Sequence, residues 1–245
     1  MDSFKNFITR RGTYKTGLKY FNKSEKRILL KGSLKDYVKS LKIPPGYPEA
    51  TINLNKRAKV LVLSIDSKGR KQYTYNQSFI KKRTDEKYCK LIRLGRSYPE
   101  IVKNVNKSLQ KRSKDNTDIL NLMLHLIIHC NFRIGGEAMH REYGSVGVST
   151  LQKKHIKSKG SDLIIEFHGK KQVINCCKVE DKRAIKFIKS LASSLKHPND
   201  RLFCLIGANG EDRIAKDADL KRYLSDIAGV TPKQFRTWQS NVLLI

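Results

Sequence analysis

The sequence predicts an α+β protein: a small β-rich N-terminal domain over residues 1–82, followed by a mostly helical domain over residues 83–245 that contains a β-hairpin. Three observations carry this. Short apolar runs broken by turn residues fill the first third. From about residue 83 the apolar residues recur at helical spacing. One alternating stretch inside the helical part doubles back on a glycine-containing turn.

In the first third, the apolar runs at 28–30 and 59–65 are separated by turn formers that include Pro44-Pro45-Gly46. The clearest element is a hairpin. Val60-Leu61-Val62-Leu63 leads out, Asp66-Ser67-Lys68-Gly69 turns, and Gln72-Tyr73-Thr74-Tyr75 returns. Strand alternation puts Tyr73 and Tyr75 on one face. Beyond residue 83, helices are expected at 84–94, 98–111, 116–132, 181–196 and 217–228. A second hairpin interrupts them, with strands at 163–167 and 173–177 around His168-Gly169-Lys170-Lys171. The last helix opens on Thr231-Pro232-Lys233-Gln234. Thr as N-cap, Pro at the first helical position and Gln at the third make a capping box.

Composition narrows the function. The 245 residues carry 51 Lys and Arg against 22 Asp and Glu, a formal net charge of +29. Such an excess repels itself unless a polyanion offsets it, and nucleic acid is the leading partner. Residues 1–82 hold 20 Lys and Arg against 5 Asp and Glu, so about half of the excess sits in one third of the chain. The hydrophobic fraction of 39% is enough for a core. The cysteines Cys89, Cys130, Cys176, Cys177 and Cys204 are odd in number and make no C-x-x-C pair. That pattern predicts reduced thiols in an intracellular compartment and no disulfide or zinc framework. The most apolar run, 119–130, is broken by Asn121 and His125 and is too short to span a bilayer, so no membrane partner is expected. No phosphate-binding G-x-x-x-x-G-K-[ST] loop, H-E-x-x-H helix or carboxylate cluster appears, so no metal or other cofactor is expected.

Three cationic residues stand at marked places. Arg133 follows the apolar helix and precedes Gly135-Gly136, Lys170 sits in the turn of the second hairpin, and Arg236 lies in the capped helix with Lys233 one turn before it. Each has an ordinary reading. The first complements a helix dipole, the second keeps a turn soluble, and the third pair is a solvated stripe.

The words around them point further. Arg133-Ile134-Gly135-Gly136, then Gly147-Val148-Ser149-Thr150-Leu151 and His155-Ile156, resembles the first catalytic-arginine segment of type IB DNA topoisomerases. Phe167-His168-Gly169-Lys170 resembles that family's catalytic-lysine hairpin, and Lys233-Gln234-Phe235-Arg236-Thr237-Trp238 its second-arginine motif, K-x-x-R-T-[YW]. The stretch from Asp66 to Tyr75 is similar to the DNA-contacting hairpin of the family's N-terminal domain. The four motifs stand in the family's order, from about residue 55 to the end, and the closest flavour is the small two-domain enzyme of poxviruses and other large DNA viruses.

The resemblance implies a DNA breaking-rejoining fold and a duplex DNA partner. In that family a tyrosine attacks a phosphodiester, a 3′-phosphotyrosyl bond holds the strand while supercoils relax, and the 5′-hydroxyl reseals it without ATP or metal. By resemblance Arg133 and Arg236 would face the non-bridging oxygens, where planar, permanently charged guanidinium forks suit developing negative charge. Lys170 would protonate the leaving 5′-oxygen with help from Lys233. Lys68, Arg70, Tyr73 and Tyr75 would contact DNA; their ordinary reading is a basic hairpin whose tyrosines cover a neighbouring strand.

One expected part is missing. The family's tyrosine follows the second arginine, after a segment that also supplies a histidine. The nine residues after Arg236 include neither, and all ten tyrosines lie upstream, Tyr223 nearest. The expectation is a truncated, split or frameshifted product, and a separate C-terminal chain carrying Tyr and His is a partner this leaves room for. The rival readings are a tyrosine recombinase, which normally has H-x-x-R where this chain has Lys233-x-x-Arg236, and a clamp that binds duplex and cuts nothing. RNA binding is weaker, because no RNP or KH signature appears.

Overall fold

A computed structural model describes residues 6–111 and 113–242. The chain forms two compact units, residues 1–87 and 88–245, dividing a few residues beyond the boundary expected at 82.

The first unit contains β1 (Phe7–Arg11), β2 (Lys19–Phe21), β3 (Arg27–Ile28), α1 (Gly32–Ser40), β4 (Glu49–Asn53), β5 (Val60–Ile65) and β6 (Lys71–Tyr75), and it opens α2 (Gln77–Lys111). The strands make one antiparallel sheet in the order β3-β2-β1-β4-β5-β6. Its register pairs Ile8 with Ile52, Thr51 with Leu63, and Leu63 with Tyr73. Strand alternation sends Ile8, Ala50, Ile52 and Val62 to one face, where Tyr37 and Val38 of α1 close a small core. The Tyr37 hydroxyl donates to the Asn53 carbonyl at 2.8 Å, which satisfies the one polar atom that this packing buries.

The first hairpin forms where the alternation placed it, and its turn is organised by a buried carboxylate. Asp66 accepts from the backbone amides of Lys68 and Arg70 and from the side chains of Arg70 and Gln72, all at 2.8–3.0 Å. Gly69 takes φ +75°, the left-handed conformation such a turn needs.

The second unit takes over α2 and continues with α3 (Asn116–His129), α4 (Glu137–Tyr143), β7 (Ile156–Lys159), β8 (Asp162–His168), β9 (Ile174–Val179), α5 (Lys182–Ser193), β10 (Cys204–Ile206), β11 (Asp212–Ile214), α6 (Asp217–Ala228) and α7 (Pro232–Val242). Helix α3 is buried from Asp118 to Ile128 and forms the axis of the core. Asp115 caps it by accepting from the Asp118 amide at 2.8 Å. Strands β7-β8-β9 form an antiparallel meander, so the second hairpin gains a third strand that alternation did not reveal. The short pair β10–β11 was equally unforeseen.

Three expectations need correction. The helices expected at 84–94 and 98–111 are one 35-residue helix that runs through Pro99. A proline clashes with the carbonyl four residues back, at a cost of about 3 kcal/mol. Here the buried face of Leu91, Leu94, Ile101, Val105 and Leu109 continues past it in helical register, and burying each such side chain contributes about 1.5–3 kcal/mol. Helix α3 stops at His129 rather than 132, because Asn131 turns left-handed at φ +53°. The third correction concerns the thiols: Cys130 and Cys177 form a disulfide, leaving Cys89, Cys176 and Cys204 free. Separated by 47 residues and by no recognised spacing, the two are brought to a Cα separation of 5.6 Å by the packing of α3 against β9.

Candidate active site

The residues 130–136 leave α3 as a loop carrying Arg133, and the loop is clamped from one side by backbone. The Arg133 carbonyl accepts from the Val148 amide at 2.9 Å and the Ile134 carbonyl from Ser149 at 2.7 Å. The two strands of this clamp touch through glycines. A Cβ on Gly147 would lie 2.4 Å from the Gly135 nitrogen and 2.7 Å from the Arg133 oxygen, and Gly135 itself sits at φ +85°. Only hydrogen fits at either position, which gives the glycines around Arg133 a physical cause.

Lys170 is presented by the turn after β8. Lys171 and Gln172 both take left-handed backbone, at φ 62° and 59°, and Gly169 donates to the Val173 carbonyl at 2.8 Å. Three links hold this turn to the Arg133 loop. Phe132 and Phe167 pack edge to face at 4.8 Å, the Val146 amide donates to the His168 carbonyl at 2.9 Å, and the Cys130–Cys177 disulfide ties the end of α3 to β9.

Arg236 and Lys233 arrive on α7. The expected cap is half present: the Gln234 side chain accepts from the Thr231 amide at 2.6 Å. The helix is seated by Phe235, which is fully buried, and by Trp238, whose ring lies against Gly95 where a Cβ would be 2.7 Å away. Tyr98 lies beside both rings, and the Gln239 amide donates to the Ile128 carbonyl at 2.7 Å. Arg236 in turn donates through Nε to the carbonyl and side-chain oxygens of Asn131, at 2.9 and 3.2 Å. Its guanidinium pKa is pushed down by burial and then by the charge of Arg133.

These segments converge. Arg133, Lys170, Lys233 and Arg236 line a single cleft of about 840 Å³, together with Lys171 and Tyr143. No acidic residue lines it, and none of the four named cations makes an ion pair among the described residues. Such a cleft focuses positive potential on whatever enters it. A phosphodiester is the anion its size and guanidinium content suit. Asn131, Phe132, Phe167 and Gln239, which set the geometry, went unnoticed in the sequence. Asn131 alone had a signal there, since asparagine is the residue after glycine that most readily turns left-handed. Tyr223, the tyrosine nearest the second arginine in sequence, is outside the cleft, half-buried and donating to Asn121 at 3.0 Å.

Lys68, Arg70, Tyr73 and Tyr75 belong to the first unit. Arg70 is partly engaged with Asp66 at 2.8 Å, while Lys68 makes no ion pair among the described residues. Tyr73 and Tyr75 stack at 6.2 Å and Tyr75 meets Phe79 at 5.4 Å, with Lys59 and Arg83 over the Phe79 ring. Tyr73 is 49% exposed, so it does not merely cover a neighbouring strand. An aromatic file flanked by cations is suited to nucleic acid.

Comparison with known proteins gives this constellation a context. The family described as eukaryotic DNA topoisomerase I, catalytic core, matches residues 76–245. The chain is 30% identical over 215 residues to a protein called DNA topoisomerase 1B of Acanthamoeba polyphaga mimivirus, covering 85% of this chain and 63% of the relative. It is 28% identical over 115 residues to DNA topoisomerase 1B of vaccinia virus (strain Copenhagen), covering 47% of this chain and 37% of the relative. It is 26% identical over 171 residues to DNA topoisomerase 1 of rabbit fibroma virus, covering 66% and 53%. The chain thus spans less than two thirds of the length of each of these relatives.

Proposed function

The chain belongs to the type IB DNA topoisomerase family, and from that premise we infer that it grips duplex DNA and holds one phosphodiester in the cleft of its second unit for strand transesterification. The observation that carries the reading is the convergence of Arg133, Lys170, Lys233 and Arg236, from three separate segments, on one cleft free of carboxylates. A tyrosine oxygen bonds to phosphorus while the bond to the 5′-oxygen breaks. Arg133 and Arg236 stabilise the negative charge that gathers on the non-bridging oxygens, each contributing about 3–4 kcal/mol in the manner of preorganised donors elsewhere. Lys170, assisted by Lys233, passes a proton to the departing 5′-oxygen. Resealing runs the same steps backward, so neither nucleotide nor metal is consumed. Lys68, Arg70, Tyr73 and Tyr75 hold DNA on the first unit.

The attacking tyrosine comes from outside these 245 residues. Of the ten tyrosines in the sequence only Tyr143 lines the cleft, and its neighbour Glu142 holds its pKa up, away from the phenolate that attack requires.

The test is to incubate the 245-residue chain with supercoiled plasmid in a metal chelator without ATP, and to trap covalent adducts. The expected result is a salt-sensitive gel shift with no relaxation and no adduct. Relaxation by this chain alone overturns the assignment of the nucleophile. Absence of any shift overturns the duplex-binding reading altogether.

A further inference from the structure

The first unit carries a second cleft, of about 760 Å³, between α1 and the β2–β3 end of its sheet. Its walls are apolar: Leu18, Ile28, Leu29, Leu30, Val38 and Ile43. Leu29 is 78% exposed and Leu18 38%, although exposed leucines normally find cover. Its rim is cationic, with Lys35, Lys39 and Lys42 from α1 and the turn after it facing Lys19 and Arg27 from the strands. No acidic residue lines the cleft, and none of these five cations is ion-paired among the described residues.

Arg10 lies at its floor, 2% exposed. Its terminal nitrogens donate to the carbonyls of Ile43, Pro44 and Tyr47 at 3.2, 2.9 and 2.8 Å, and its Nε has no partner. The charge is therefore met only by neutral dipoles. A buried guanidinium without a counter-ion is costly, and a carboxylate brought to the cleft would offset that cost.

We propose that this cleft docks a segment of a protein partner that carries two or more apolar side chains flanked by carboxylates. The apolar walls supply pockets for the anchors, and the rim with Arg10 supplies the complementary charge that sets orientation and speeds encounter. Duplex DNA matches only half of this surface, because a phosphodiester backbone has nothing to fill the space beside Leu29. A fatty acid matches the walls but brings one carboxylate to a rim of five cations.

The test uses the full chain and a fluorescein-labelled twelve-residue peptide of Glu and Asp with Leu and Phe at spaced positions, followed by anisotropy at physiological salt. A control peptide has Ser in place of Leu and Phe. The expected result is saturable binding that weakens about ten-fold for the control peptide, for the Leu29→Ser chain and for the Lys35→Glu/Lys39→Glu chain, a loss of the size usual for an anchor contact. Leu29 is so exposed that its replacement leaves the fold intact, as circular dichroism would verify, and plasmid binding by that variant stays unchanged. Equal binding of the control peptide would reduce the cleft to general charge attraction and overturn the proposal. So would tighter binding of short duplex DNA, decanoate or anionic phosphatidylserine vesicles that is lost with Leu29→Ser. Plasmid binding by the second unit's cleft is read separately, so failure here leaves the topoisomerase reading standing.

Discussion

Gly147 and Arg236 show how single residues decide the cleft. Alanine at 147 would put a methyl 2.4 Å from the Gly135 nitrogen, against backbone on both sides, so the Arg133 loop must shift to admit it. Gly147→Ala is expected to destabilise the second unit by about 2 kcal/mol or more, a typical cost for overpacking, measured by urea denaturation. Alanine at the exposed Gly144, where nothing lies within 4 Å, meets no such neighbour and suffers only from its left-handed φ of 62°. Arg236 is expected to touch one phosphate. Arg236→Ala should weaken plasmid binding similarly across sequences and reduce the slope of log K against log salt by about 1. An unchanged slope would remove Arg236 from the phosphate. Asn131→Ala, which strips one of the oxygens that hold the guanidinium but leaves the charge, should preserve the slope.

At the scale of elements, the two hairpins rest on different supports. The first depends on Asp66. Burial works to raise its pKa, but the hydrogen bonds from Arg70, Gln72 and Lys68 prevail and hold it at about 2. A carboxyl with a folded pKa below its unfolded value contributes stability above pH 4 that is lost as pH falls through about 2. Asp66→Asn should loosen the turn at neutral pH, seen as faster amide exchange at Lys68 and Arg70 with the rest of the sheet still protected. The second hairpin depends on tertiary ties, above all the Cys130–Cys177 disulfide, which joins the flanks of Arg133 and Lys170. Closing a loop of 47 residues stabilises the fold by at most about 4 kcal/mol in the chain-entropy account. Adding a reductant, or making Cys177→Ser, should therefore lower the denaturation midpoint, whereas Cys176→Ser should not.

For the whole molecule, charge and buried histidines set the response to solution conditions. His125 and His155 are buried, and desolvation, aided by the charges of His129 and Lys154 respectively, lowers each pKa to about 4. Because the folded values lie below 6.5, the unfolded chain binds more protons between pH 6.5 and 4. Stability is thus complete above pH 6.5 and lost as pH falls toward 4. Urea denaturation at pH 5 should show a loss of about 2 kcal/mol per histidine relative to pH 7.5. An equal midpoint at the two pH values would mean that the histidines are charged in the fold. No helix among the described residues is long and apolar enough to cross a membrane, so the net charge of +29 faces water or a polyanion.

The sequence by itself determined the elements whose cause is local. Alternation specified β5–β6 and β8–β9, turn chemistry specified their reversals, and the i, i+3 spacing of Lys233 and Arg236 placed both on one helix. The α+β class and the family follow from such short-range words. What only the tertiary structure decided is whatever depends on residues distant in the chain. Helix α2 crosses Pro99 because a buried face outweighs a local penalty, and local propensity carries no information about that face. Cys130 finds Cys177, Arg236 finds Asn131, and four cations from three segments share one cleft, because packing against α3 brings their backbones together. The apolar, lysine-rimmed cleft of the first unit has the same origin: its walls come from β2, β3 and α1, and no single stretch of sequence contains it.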